Sequence, residues 1–209
     1  MGRLMASQAK RKQRIPAAER RQRILEAGAE AFASRGYHAT SVENIAAAAG
    51  VTKPVFYDHF DSKDEIFVEL TEGARDELIA RGSRVMGQTR TLEERVKTAW
   101  DVFFQFVEEQ PARARVLLVT PLGVPELQAV ATRIQDEATR RLAQLLIAER
   151  DLLPRARDRE FRLLLCMEFI KCGMHGLARW WARHPDATRE DMTRTVVDVA
   201  WRGLSGLIR

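Results

Sequence analysis

From Pro16 to the C-terminus, apolar residues recur at three- and four-residue spacings, and no segment alternates apolar with polar residues. That pattern restricts the chain to an all-α fold of about nine helices. Pro16 suits a first helical turn, and the helix it opens is expected to run to about Arg35. Its buried face would be Ile24, Leu25, Gly28, Ala31 and Phe32, and Gly36 would close it as a left-handed cap. Two short helices follow. Thr40 and Glu43 stand at capping-box spacing and open one through Ile45 to about Ala48. Gly50 breaks it, and Thr52 with Pro54 opens the next, expected to reach Phe60.

The remaining helices are longer. Ser62 caps a fourth, with Asp64 and Glu65 in its first turn, running to the Gly82–Gly87 region. Leu92, Val96, Trp100, Phe103 and Val107 mark a fifth that stops before Pro111. A short sixth (112–119), a seventh closed near Pro154, an eighth (156–183) and a ninth (189–207) complete the reading. The domains expected are a basic arm (1–15), a three-helix unit (16–63) and a helical remainder (64–209).

Charge separates these regions. The net charge of +5 lies entirely within residues 1–63, which carry 11 basic and 6 acidic side chains, while residues 64–209 hold 23 of each. An anionic partner is therefore expected at the N-terminal end. Two cysteines, Cys166 and Cys172, are too few for a disulfide framework, and four scattered histidines build no zinc module. Cys166 and Cys172 fall some 120° apart on the eighth helix and are expected to be buried structural thiols. No apolar run approaches the roughly 20 residues of a membrane span, so a cytoplasmic protein without metal or cofactor is expected.

Three short helices with a glycine turn between the second and third form a helix-turn-helix pattern. Ile45, Ala49, Val51, Phe56 and Phe60 would pack on the first helix, leaving the outer face of the third free to enter a major groove about 12 Å wide. Lys53, Tyr57, Asp58 and His59 remain outside, flanked by Thr40, Ser41 and Lys63. Helix N-termini attract phosphate, which adds Thr52 to Thr40 and Ser41. The stretch Tyr37 to Leu70, YHATSVENIAAAAGVTKPVFYDHFDSKDEIFVEL, resembles the DNA-binding domain of the TetR family of bacterial transcriptional regulators. The resemblance covers about residues 18–70 and rests on Ile-Ala, Ala-Gly-Val, Phe-Tyr, His-Phe and Lys at the family's spacings. It implies a homodimer on a palindromic operator, usually a repressor released by a small ligand. It places Lys53 and Tyr57 in the major groove, and Thr40, Ser41, His59 and Lys63 on the backbone. Thr52, Pro54 and Val55 complete the expected DNA-binding set. Asp58 departs from the family pattern; it either accepts from a cytosine amino group or points to water. The basic arm with Lys10, Arg11, Lys12 and Arg14 is either a solubilising tail or a minor-groove arm.

No phosphate loop, nucleophile elbow or metalloprotease motif is present, so an enzyme is not expected. Glu160, Glu168, Lys171, His175 and Arg179 share one arc of the eighth helix, as an ordinary solvent face would. Outside that arc the helix is apolar on both flanks: Leu165, Phe169 and Cys172 on one, and Leu163, Met167, Ile170, Met174 and Trp181 on the other. The last helix doubles likewise, with Val196, Val199 and Gly203 beside Val197, Trp201, Leu204 and Ile208. A homodimer through these two helices is expected. Trp100, Phe103, Phe104, Leu117, Met167, Ile170 and Met174 are the expected walls of a pocket for a small apolar or aromatic effector. Against this stands the plain alternative that they only fill a core, leaving a DNA-binding dimer with no effector.

Overall fold

The computed structural model describes residues 15–86, 91–119, 121–147 and 158–205. Expectations falling on the basic arm, the Pro154 turn, Gly87, and the chain beyond residue 205 lie outside them. The helices are α1 (Ala17–Ala39), α2 (Val42–Ala48), α3 (Lys53–Tyr57), α4 (Lys63–Met86), α5 (Leu92–Glu109), α6 (Pro111–Leu118), α7 (Pro125–Ile147), α8 (Arg159–Trp181) and α9 (Arg189–Val196). A π-helical turn, Val197–Trp201, carries α9 into a last short helix, α10 (Arg202–Ser205). There is no strand among the described residues.

Gly36 ends the regular part of α1 as its position implied, with φ of 79° that a side chain would strain. Gly28 serves a different need: a Cβ there would lie 2.6 Å from Ile66 Cγ2, so α1 and α4 cross in close approach. Thr91 and Glu94 form a full capping box on α5, and the Ser62 hydroxyl accepts from the Glu65 amide at the start of α4.

Two main apolar clusters divide the molecule. The first joins Ile24, Phe32, Tyr37, Ile45, Phe56 and Phe60 to Ile66, Phe67 and Leu70 of α4, and reaches Val116 of α6 and Leu127 of α7. The core of the three-helix unit thus continues past residue 63. The second gathers Val96, Trp100, Phe103 and Phe104 of α5 with Met167, Ile170 and Met174 of α8 and Met192 and Val196 of α9. Helix α6 packs on α1, α4 and α5 and spans the two. Its Val116 belongs to the first cluster, while Leu117 sits in a small third one with Ala74, Phe106 and Ala114.

The middle of the polar arc of α8 does not face solvent, although Glu160 and Arg179 at its ends are exposed. Lys171 is largely covered and pairs with Glu168 at 2.7 Å, His175 stacks on Phe103, and Arg179 Nη1 donates to the Leu118 carbonyl at 3.3 Å. The exposed side of α8 is instead Phe161, Leu165, Phe169 and Trp180, at 60%, 52%, 75% and 40% exposure. Cys172 is exposed on the same helix and Cys166 only partly covered, so neither is the buried thiol that was expected.

Candidate nucleic-acid interface and ligand cavity

Capping of α2 falls one residue later than the spacing of Thr40 and Glu43 indicated. The Ser41 hydroxyl accepts from the Asn44 amide at 3.2 Å, and the Asn44 side chain accepts from the Ser41 amide at 3.2 Å. Thr40 is buried, its hydroxyl donating toward the carbonyls of Gly36 (2.8 Å) and Ala31 (3.1 Å). A threonine held this way offers no hydroxyl to phosphate.

Lys63 is also turned inward. Its ammonium donates to the carbonyls of Tyr37 (2.9 Å) and Thr40 (2.8 Å) and lies 4.3 Å from the Tyr37 ring centroid. It closes the end of α1, where carbonyls lack helical partners. The Tyr37 hydroxyl donates to Asp64; burial first, then that carboxylate, pushes the phenol well above its ordinary range.

What remains outside is α3. Pro54 in its first turn and the bond from the Phe56 amide to the Thr52 carbonyl set the short helix, and Phe56 and Phe60 anchor it in the core. Thr52, Lys53, Pro54, Tyr57 and Asp58 are exposed; Ser41, Val55 and His59 are partly so. The Thr52 hydroxyl makes no capping bond. Lys53 pairs with Glu43 of α2 and lies 6.0 Å from the Tyr57 ring. The bond from Lys53 holds the Glu43 carboxyl down at about 2. The face thus presents one cation, one phenol, short hydroxyls and an imidazole around a helix end, a set able to donate to phosphate and to base edges. A wide cleft of about 960 Å³ between α1, α2, α4 and α6 is poorly suited to that task. Its carboxylates Glu26, Glu30, Glu69 and Glu109 outnumber the cations Arg23 and Arg113.

A cavity of about 330 Å³ lies between α4, α5, α7 and α8. Trp100, Phe103, Leu117, Met167, Ile170 and Met174 line it. Phe104 does not: it is fully buried, edge-on to Phe103 and Trp181. Sequence reasoning missed the walls from α4 (Leu78, Ile79, Gly82) and α7 (Ile134, Ala138) and the cations Arg75, Arg95 and Arg141, whereas Lys171, an expected anchor only if the arc of α8 turned inward, does line the cavity. Arg75 and Arg141 pair with Glu137, and Lys171 with Glu168, and neither of these carboxylates is a lining residue. His175 also lines the cavity; burial, then the charges of Lys171 and Arg179, push its imidazole down to about 4, so it is neutral at neutral pH. The polar arc of α8, Lys171 followed four residues later by His175, is the sequence signal for these groups, although on a helical projection it has the look of a solvent face.

A helix-turn-helix unit with an exposed third helix, on a larger helical body that encloses a cavity, is an arrangement suited to a DNA-binding regulator. Residues 24–70 match the family model described as bacterial regulatory proteins, tetR family, so the family likeness is carried by the N-terminal unit. It is 28% identical over 196 residues to the transcriptional activator FasR of Mycolicibacterium smegmatis, covering 94% of this chain and 88% of that one. The repressor KstR2 of Mycobacterium tuberculosis is 37% identical over 94 residues, covering 45% of this chain and 47% of that one. The fold is shared with the fatty acid degradation regulator FadR from Bacillus halodurans, at a TM-score of 0.77 and 20% identity over 94% of this chain and 98% of that one. These relatives are regulators rather than enzymes. No described helix is long and apolar enough to cross a membrane.

Proposed function

We propose that this chain is a homodimeric repressor that holds a palindromic operator through α3 of each protomer and releases it when a small molecule fills the cavity. Lys53 and Tyr57 read base edges, Pro54 and Val55 add apolar contact, and Ser41, Thr52 and His59 hold the backbone. The observation that carries the reading is where the cavity lies. Helix α4 supplies one of its walls, and the same helix begins at Lys63, whose ammonium grips the end of α1. A ligand that pushes on Leu78, Ile79 or Gly82 therefore pushes on the mount of the reading unit.

The chemistry of the walls supports a ligand class. Aromatic and methionine side chains suit an apolar body, and four cations without a lining carboxylate suit an anionic or strongly accepting head. A relative described as a fatty acid degradation regulator and another described as a ketosteroid regulator fit that chemistry. The exposed apolar face of α8 supports the homodimer, since a monomer would leave Phe161, Leu165 and Phe169 in water.

The experiment is a titration of the operator complex with straight-chain fatty acids and a ketosteroid, followed by fluorescence anisotropy. Release by at least one probe is expected from the wild-type chain, with Ile170→Trp, which fills the cavity, insensitive to it. Each tenfold loss of operator affinity requires about 1.4 kcal/mol of preference for the DNA-incompetent state. Equal release from both proteins would remove the cavity from the account.

A further inference from the structure

The cations that line the cavity are tied to the helices around it in different ways. Lys171 pairs with Glu168 at 2.7 Å, three residues earlier on α8, and Arg141 pairs with Glu137, four residues earlier on α7. Exchanging either partner breaks no link between helices. Arg75 is placed differently. It lines the cavity from α4, its side chain is 15% exposed, and its Nη1 donates to Glu137 Oε2 of α7 at 3.4 Å. That ion pair joins two walls of the cavity, and one of those walls is the helix on which the reading unit is mounted.

The tie is the longest contact at both of its ends. Arg75 holds its sequence neighbour Asp76 at 2.9 Å, within the same helix. Glu137 holds Arg141 through its other oxygen, at closer range than it holds Arg75. If Arg75 lets go, Glu137 keeps Arg141, and no carboxylate is left without a cation. Glu137 does not line the cavity, so an acid inside it meets the guanidinium rather than the carboxylate. A planar guanidinium takes a carboxylate in two parallel bonds, which a hydroxyl or a ketone cannot offer. Leu78, Ile79, Trp100, Ile170 and Met174 leave the rest of the space to a hydrocarbon body.

We propose that Arg75 is the switch residue of the effector site: the carboxylate of an apolar acid takes its guanidinium from Glu137 and so unties α4 from α7. The inference rests on the reading of the cavity as the effector site. It makes charge, and not bulk alone, the signal for release. A neutral molecule with the same body fills the cavity and leaves the tie in place. The acid breaks it at a point about 18 Å along α4 from Lys63, where the helix meets the end of α1. The ligand then prefers the untied state by its bond to Arg75, which is the differential contact that a shift of population requires.

The test uses the full-length protein, an operator duplex, and two probes with one hydrocarbon body, dodecanoic acid and dodecan-1-ol. Binding is followed by calorimetry and release by fluorescence anisotropy. The acid should release the wild-type chain at a concentration about tenfold or more below that of the alcohol. R75Q should lose that difference, while R75K, which keeps a cation, should retain part of it. Without ligand, R75Q and E137Q should each weaken operator binding by a similar factor, about threefold. The double variant should lose no more than either alone, because both substitutions remove the same tie. An acid preference that survives in R75Q, or losses that add in the double variant, overturns the proposal. Equal release of the wild-type chain by acid and alcohol overturns it too, while leaving the cavity as the effector site. Failure of the cavity reading looks different: neither probe then binds the wild-type chain, and this inference falls with it.

Discussion

Lys63 and Lys53 are ten residues apart, and the fold gives them opposite work. Lys63 spends its ammonium on two carbonyls at the end of α1, whereas Lys53 stands on the exposed face with Glu43 as its partner. Lys63→Gln is therefore expected to destabilise the chain by about 1–3 kcal/mol, since it strands partly buried acceptors. Thermal or urea unfolding would register that change, and the salt slope of DNA binding should not move. A flattened slope with unchanged stability would return Lys63 to the phosphate backbone. His175 carries a second residue-scale expectation. Burial against Phe103, beside Lys171 and Arg179, lowers its pKa from about 6.5 in an unfolded chain to about 4, although Glu168 opposes the shift. Between those values the unfolded chain takes up a proton that the native chain refuses, so stability falls as pH falls, by up to about 1.4 kcal/mol per pH unit. His175→Phe should remove that part of the slope in unfolding measured from pH 7 to pH 4. An identical slope in the variant would mean that His175 is solvated.

At the scale of elements, the proposed homodimer rests on α8. Phe161, Leu165 and Phe169 lie along one exposed side, and Leu163, Met167, Ile170 and Met174 occupy the other flank in the core. Replacing Leu165 and Phe169 together by glutamate should convert a dimer to a monomer in sedimentation at micromolar concentration while leaving the melting of one protomer near its original value. A double variant that stays dimeric would move the interface elsewhere. Much of this helix could be read from its sequence, because two apolar flanks are one more than a monomer needs. The direction of its polar arc could not. Glu168, Lys171, His175 and Arg179 look like a solvent face on a helical projection, yet an ion pair, a ring stack and a carbonyl bond turn them toward α5, α6 and α7. Spacing reports which residues share a face and leaves open what that face meets. The same limit explains Thr40 and Lys63: their positions matched a DNA-binding pattern, but nothing local in sequence reveals that Gly36 and Tyr37 offer them carbonyls.

Across the whole molecule, two routes run from the cavity to the reading unit. One is α4, which lines the cavity at Leu78 and enters the first core at Ile66 and Phe67. The other is α6, where Leu117 borders the cavity and its neighbour Val116 packs in the first core. Glu77 ties the two helices together by accepting from Arg81, Gln110 and Arg113, at 2.5, 2.5 and 2.6 Å. Burial pushes its carboxyl up, but these three donors outweigh burial and hold it below its ordinary value. Beyond α6, His38 Nε2 meets the Leu122 carbonyl at 2.5 Å and joins the end of α1 to the loop before α7. On the proposed mechanism a displacement at the cavity would reach α1 and α4 together, and a small change in the separation of two reading helices would break docking on both half-sites.

The central claim, that a dimer reads DNA through α3, is tested most directly by selecting bound duplexes from a random pool with the wild-type chain and with Lys53→Ala. The account predicts an inverted repeat whose half-sites lie about 34 Å apart or at a multiple of that spacing. It also predicts that Lys53→Ala relaxes preference at one position in each half-site, by about 1–3 kcal/mol. Recovery of a sequence without two-fold symmetry, or of the same sharp preference from the variant, would contradict it.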